Sequence, residues 1–161
     1  MLFRSMTSNN TTTYAASASS ILSTGWDAWN AFDNNTGTGW HSTDGIYDVN
    51  TGVYLGSVTT TDSTNTVHTG EWLQLQFKTL PINLNNMYLT PRSGWETTRA
   101  PRSFVILGSN DGSTWYNVYT NTNKNNWTSG TNGVNINSSS YYSYYRLVIK
   151  RVGNSDSGMA S

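Results

Sequence analysis

"PRSFVILGSNDGSTWYNV", Pro101 to Val118, is the stretch whose reading decides the fold. Its apolar run "RSFVILGS" and the aromatic run "TWYNVYT", Thr114 to Thr120, flank "NDG", Asn110 to Gly112. Both runs are rich in β-branched and aromatic residues, and an Asp-Gly pair supplies the positive-φ residue that a tight hairpin needs. Outward from this hairpin, "EWLQLQF" (Glu71 to Phe77) alternates, with Leu73, Leu75 and Phe77 on one face and Gln74 and Gln76 on the other. "YYRLVIKRV" (Tyr144 to Val152) repeats the pattern, setting Tyr145, Leu147 and Ile149 against Arg146, Val148 and Lys150. "INLNNMYLTPR" after Pro81 and "GVNI" from Gly133 are weaker strands. Helical spacing is almost absent. Many short strands with turn residues between them predict an all-β, antiparallel sandwich or barrel.

Composition limits the function. The chain has 161 residues, enough for one domain with a sizeable core. Charged residues make up 11%, nine basic against nine acidic, so nucleic acid is not an expected partner, because phosphate neutralisation needs clustered cations in excess. Aromatic content of 13% separates the chain from disordered sequences of similar polarity. With no cysteine it has neither disulfides nor thiolate metal sites. No window approaches the 18 apolar residues of a span, and "MLFRSMTSNN" lacks the apolar stretch of a signal peptide. Sequons at Asn9, Asn10, Asn34, Asn126 and Asn137 are what chance supplies in so Asn- and Thr-rich a chain.

If consecutive strands run antiparallel, the long connections 42–70, 92–100 and 121–132 and the tail after Val152 gather at one pole, and the short links near Leu80, Asp111 and Ser139 at the other. The long-loop pole carries Tyr47, Tyr54, His68, Arg92, Trp95, Glu96, Arg99 and Trp127. Loops on a rigid scaffold concentrate binding groups, and Trp beside Arg is a recognition composition.

The ordered motifs "YAASASS", "NAFDNNTGTGWHS", "GEWLQLQF", "PRSFVILGSNDGSTWYNV" and "YYRLVI", spanning Tyr14 to Ile149, resemble the discoidin family, also called the coagulation factor V/VIII type C domain. Family-32 carbohydrate-binding modules are its bacterial relatives. The resemblance implies an eight-stranded, galactose-binding-like jelly roll over 14–161, with 1–13 as an extension or linker. It implies no enzyme, but a lectin-like module whose end loops bind galactose-type or other glycans, or phospholipid head groups in animal members. A structural Ca2+ is implied at Asn30, Asp33, Asn35 and Thr38, whose oxygens suit a hard cation. The family's final strand would follow "SGMAS", so either that edge strand is missing or the chain is one module of a larger protein. Lacking cysteine, the chain compares best with the microbial or viral branch, which implies an extracellular, cell-surface or virion-associated setting.

The candidate ligand contacts are Trp26, His41, Arg92, Trp95, Arg99 and Trp127. An indole stacks on the apolar face of a pyranose, and Arg donates paired hydrogen bonds to hydroxyls. Against this stand plainer roles: packing of each Trp on its own loop, and a structural bond for Arg102 at the strand edge. Trp29, Trp40, Trp72 and Trp115 read as packing residues, and Glu71 merely opens a strand. Asp27, Asp33, Asp44 and Asp48 are near one another only in sequence, so no acid–base pair assembles. Two other roles remain open: membrane-surface binding, which the zero net charge weakens, and docking onto another protein in a particle or matrix.

Overall fold

The computed structural model describes residues 5–154 and 158–161. Alternating sequences become strands, and among the described residues these are β1 (Tyr14–Ala18), β2 (Thr59–Thr61), β3 (Val67–Thr69), β4 (Glu71–Phe77), β5 (Ile82–Asn83), β6 (Asn86–Leu89), β7 (Pro101–Ser109), β8 (Tyr116–Asn121), β9 (Asn132–Asn135), β10 (Tyr141–Tyr142) and β11 (Tyr144–Val152). The principal sheet has the order β1-β4-β11-β7-β8, antiparallel throughout. The pairs β6–β9 and β5–β10 form the facing layer, and β2–β3 is a separate hairpin. One 3-10 turn, Ala28–Phe32, is the helical element among the described residues. The architecture is the expected all-β antiparallel sandwich, assembled from more and shorter strands than eight.

Each face of the principal sheet has its own core. Leu75, Phe77, Phe104, Ile106 and Tyr145 point inward and pack with Val134, Ile136, Met87 and Leu89 of the facing layer. On the outer face Val105, Leu107 and Val148 pack with Trp115 and the half-buried Trp72. The Arg146 guanidinium lies 4.1 Å from the centroid of each of these indoles. It donates to Gln74 Oε1 at 2.8 Å and to Thr60 Oγ1 of the β2–β3 hairpin at 2.9 Å. Burial lowers its pKa to about 10, so it remains cationic at neutral pH.

Register places the long loops at one pole, as the sequence predicts. Glu71 opens β4 opposite Ile149, Val152 closes β11 opposite Pro101, and Asn121 closes β8 opposite Phe104. The described part of the N-terminal extension packs on the domain: Met6 is buried in the inner core, its N–H donates to the Phe32 carbonyl, and Asn10 bridges Ala15. An apolar side chain there is drawn out of water under the 3-10 turn. One expectation changes: the "NDG" connection is wider than a two-residue hairpin. Gly112 does take φ +75°, but the strands stop at Ser109 and Tyr116. Asp111 Oδ1 accepts the N–H groups of Ser113 and Thr114, which holds its carboxyl well below the usual carboxylate range.

Glu71 does more than open a strand. It is fully buried, and its carboxyl accepts hydrogen bonds from the Ser19 and Ser20 hydroxyls and, at 2.8 Å, from Tyr54 Oη. Ser19 and Ser20 directly follow β1 and Tyr54 belongs to the 42–70 connection, so one side chain ties both segments to the head of β4. Burial first, and the Glu71 carboxyl with it, raises the Tyr54 hydroxyl to about 12, which keeps it a donor. Glu71→Ala strands these hydroxyls and is expected to cost about 3 kcal/mol, read as a fall in the urea midpoint, while Glu71→Gln, which keeps an acceptor oxygen, costs about half as much.

Candidate functional site

The 92–100 segment folds as consecutive turns: Trp95 N–H donates to the Arg92 carbonyl, and the N–H groups of Thr98 and Arg99 donate to the Trp95 carbonyl. Residues spaced three and four apart in such a coil share a face. Arg92, Trp95 and Arg99 accordingly stack, with Arg92 Cζ and Arg99 Cζ each 4.6 Å from the Trp95 centroid. Trp26, from the loop before the 3-10 turn, covers Arg92 from another side at 5.0 Å. His41 meets Trp26 edge-on, with centroids 4.0 Å apart. Five of the six ligand-contact candidates therefore form one cluster at the long-loop pole, from three connections distant in sequence.

The cluster has a surface and a base. Arg92 is exposed, and Trp26 and Trp95 are half-buried, whereas His41 and Arg99 are buried. Arg92 Nη1 donates to His41 Nε2 at 3.3 Å, so the imidazole proton resides on Nδ1, facing Met159 Sδ at 3.2 Å. Arg99 Nη1 also donates to Met159 Sδ, at 3.5 Å. Burial, then the charges of Arg92 and Arg99, lower the His41 pKa to about 4 and keep the ring neutral. Arg99 and His41 position the surface groups, and Arg92 retains N–H donors beyond the one given to His41.

Met159 was not among the predicted site residues. Its one sequence signal is an apolar side chain in a polar tail. The tail is held by reciprocal bonds between Ser42 and Ala160 and by Gly158 accepting from Ile46 and Tyr47. At Gly153 it passes so near the 92–100 segment that a Cβ would lie 1.8 Å from the Thr97 carbonyl, which only glycine avoids.

Trp127 departs from expectation. It lies at the long-loop pole but points inward: it is 6% exposed, donates Nε1–H to the Pro101 carbonyl at 2.7 Å, packs near Phe104, and has Lys124 Nζ over its ring at 4.4 Å. It belongs to the inner core and not to the Trp26–Arg92–Trp95 cluster. The signal was present, since Trp127 is the sole apolar side chain in the polar run 120–131 and is what anchors that loop. His68 and Glu96 also lie outside the cluster's contacts. His68 is buried in β3 with Nε2 2.8 Å from Asp62 Oδ2, and Glu96 accepts the Gly94 N–H.

The predicted cation loop is drawn together in part. Asp33 Oδ1 accepts the Asn35 N–H at 2.9 Å, Asp33 Oδ2 accepts the Thr38 hydroxyl at 2.5 Å, and that hydroxyl lies 3.0 Å from the Asn35 carbonyl. Asn30 is buried with its amide committed to the Gly25 carbonyl at 2.6 Å. The donor set is all oxygen, as Ca2+ requires, but contains a single carboxylate. Among the described residues no group of three or more His, Asp or Glu is placed to hold a metal.

The family model of the F5/8 type C domain matches residues 15–161. The chain belongs to the F5/8 type C domain family. No curated protein matches its sequence. The F5/8 type C fold is shared with chitosan-binding module 1 of a chitosanase/glucanase from Paenibacillus sp. IK-5, at 23% identity and TM-score 0.60 over 91% of this chain and 89% of that one. A family 32 CBM from C. perfringens NanJ, solved in complex with galactose, is similar at 16% identity and TM-score 0.61, covering 91% and 87%. CpGH89CBM32-5 from Clostridium perfringens, in complex with GalNAc-beta-1,3-galactose, is similar at 16% and 0.60, covering 91% and 88%. At these identities the likeness is one of fold.

His41 sets a pH test of the domain's base. Its folded pKa of about 4 lies below the ordinary 6.5, so the unfolded chain takes up its proton first on acidification. The stability His41 contributes is full above pH 6.5 and is lost as pH falls through 4. Urea midpoints between pH 7 and pH 4 should fall more steeply for the parent than for His41→Gln.

Proposed function

We propose that this F5/8 type C domain is a non-catalytic carbohydrate-binding module, and that its ligand surface is Trp26, Arg92 and Trp95. The observation that carries this reading is the exposed Arg92 guanidinium held between two half-buried indoles. A pyranose lays its C–H face on the accessible indole surface, and the guanidinium N–H groups donate to its hydroxyls. The neutral His41 below adds no charge, which suits an uncharged partner. That several similar folds are sugar complexes supports the class, and a galactose-type ring is the specific ligand we favour. Such a shallow surface binds weakly, and repetition within a larger cell-surface or virion protein would raise avidity and serve adhesion.

A membrane-surface reading has one observation of its own: Ile21, Leu22, Val53 and Leu55 are exposed on loops of this region. The zero net charge opposes attraction to anionic lipid. On a glycan array the parent domain should bind galactose-type sugars, and Trp95→Ala and Arg92→Ala should each lose at least about tenfold in affinity in variants whose dispersed NMR spectra show the fold kept. Retained sugar binding by both variants, or phosphatidylserine-dependent pelleting with vesicles without sugar binding, refutes the proposal.

We also propose that Asp33, Asn35 and Thr38 hold Ca2+ structurally, at the millimolar end of the calcium range because one carboxylate supplies the charge. Millimolar calcium should raise Tm and chelator reverse it. Asp33→Ala should abolish the rise.

A further inference from the structure

The face of the 92–102 segment away from the Trp26–Arg92–Trp95 surface carries a second concavity. A hollow of about 310 Å³ is lined by Thr97, Thr98, Arg102, Lys124, Trp127 and Asn154, among others. Its size falls at the lower end of small-ligand sites. Two cations are built into its wall. Lys124 N–H donates to the Arg102 carbonyl at 2.7 Å, which fixes the 123–127 loop against the start of β7. Arg102 Nε donates to Asn123 Oδ1 at 2.8 Å, so the guanidinium is oriented through one edge. Lys124 Nζ is held over the Trp127 ring and donates to Asn126 Oδ1 at 3.0 Å.

Among the described residues neither cation has a carboxylate partner, and the ion pair found there is His68–Asp62, in the β2–β3 hairpin. One carboxylate, Glu96, also lines the hollow, and its Oε2 accepts the Gly94 N–H at 3.1 Å. The described residues of the wall thus include two positive side chains and one negative, together with the threonine hydroxyls and Asn125. A second hollow of about 390 Å³ adjoins it, sharing Lys124 and Asn125 and lined further by Asn121, Asn123, Asn126 and Asn135. Side-chain amides in such density serve the hydroxyls of a polar chain rather than an apolar ligand.

We propose that this hollow is a second saccharide site, separate from the Trp26–Arg92–Trp95 surface, for a sugar ring bearing a carboxylate or sulfate. The acid group is received by Arg102 and Lys124, and the neighbouring ring lies along the asparagine-lined hollow. Charge selects here where stacking selects at the first surface, because the Trp127 ring is buried and already covered by Lys124. Two sites flanking one loop would let the domain read an acidic and a neutral part of a heterogeneous glycan.

The test is an NMR titration of the whole chain, followed at the Trp127 indole N–H, whose bond to the Pro101 carbonyl makes it a reporter for the hollow. The probes are trigalacturonate, galactose 6-sulfate, neutral galactotriose and inorganic sulfate. Trigalacturonate or galactose 6-sulfate should shift this resonance saturably, and whichever binds tighter identifies the anion. Lys124→Ala and Arg102→Gln should each weaken that binding about tenfold, the loss of one charge-assisted hydrogen bond, while Trp95→Ala leaves it unchanged. Dispersed spectra of the variants confirm their fold. The proposal is overturned if galactotriose or inorganic sulfate binds as tightly as both acidic sugars, if both hollow variants titrate like the parent, or if Trp95→Ala abolishes the shift. Because that substitution strikes only the first surface, failure of one site is distinguishable from failure of the other.

Discussion

The buried carboxyl of Glu71 is the constraint on which the long-loop pole depends. Loops rich in Ser, Thr, Asn and Gly offer few apolar side chains for burial. A side chain that accepts from Ser19, Ser20 and Tyr54 at the head of a central strand adds polar ties to the apolar cluster that Trp40, Tyr47, Tyr54, Ile149, Val152 and Ala160 form there. In a low-dielectric interior these hydrogen bonds are strong, and each group left unpaired would be costly. The order then spreads. Ser20 Oγ accepts the Thr43 N–H, the Ser20 carbonyl accepts Trp40 Nε1–H, and the His41 carbonyl accepts the Leu22 N–H. His41 is thereby fixed beneath Trp26, and the pair forms one wall of the stacked cluster.

The same economy explains why so weakly charged a chain gathers arginines around one loop. Four of its cations stack on aromatic faces: Arg92 and Arg99 on Trp95, Arg146 between Trp72 and Trp115, and Lys124 on Trp127. A guanidinium stacked on an indole keeps its N–H edge available, whereas one locked in a bidentate ion pair does not. On the outer sheet face that edge is consumed by Gln74 and Thr60, and the group is structural. At the pole Arg92 is exposed, and the same pairing becomes a surface suited to neutral hydroxyls.

Strand type and facing were legible because alternation is a local property. Tyr145 went into the inner core, Ile149 into the cluster with Trp40, Tyr47 and Tyr54, and Val148 onto the opposite face, as the period-two pattern requires. The gathering of the long loops followed from counting antiparallel turns. The stacked group of Arg92, Trp95 and Arg99 was legible as neighbours because one loop holds all three. Trp127 was misjudged because its place in the chain says which pole it occupies but not which way its indole turns. Glu71 looked dull because nothing near it in sequence reveals that three hydroxyls from residues 17 to 52 positions away converge on it.

By itself, then, the amino-acid sequence determined the class of fold, the inner and outer faces of the principal strands and the pole that carries the loops. These depend on side-chain period and on turn residues, which act over a few positions. Only the tertiary structure decided that His41 is a buried, neutral base for the cluster, that Met159 supports both it and Arg99, and that Trp127 is core. Those outcomes rest on contacts such as His41 to Met159, 118 residues apart, which form only when strands distant in sequence become neighbours in the sheet.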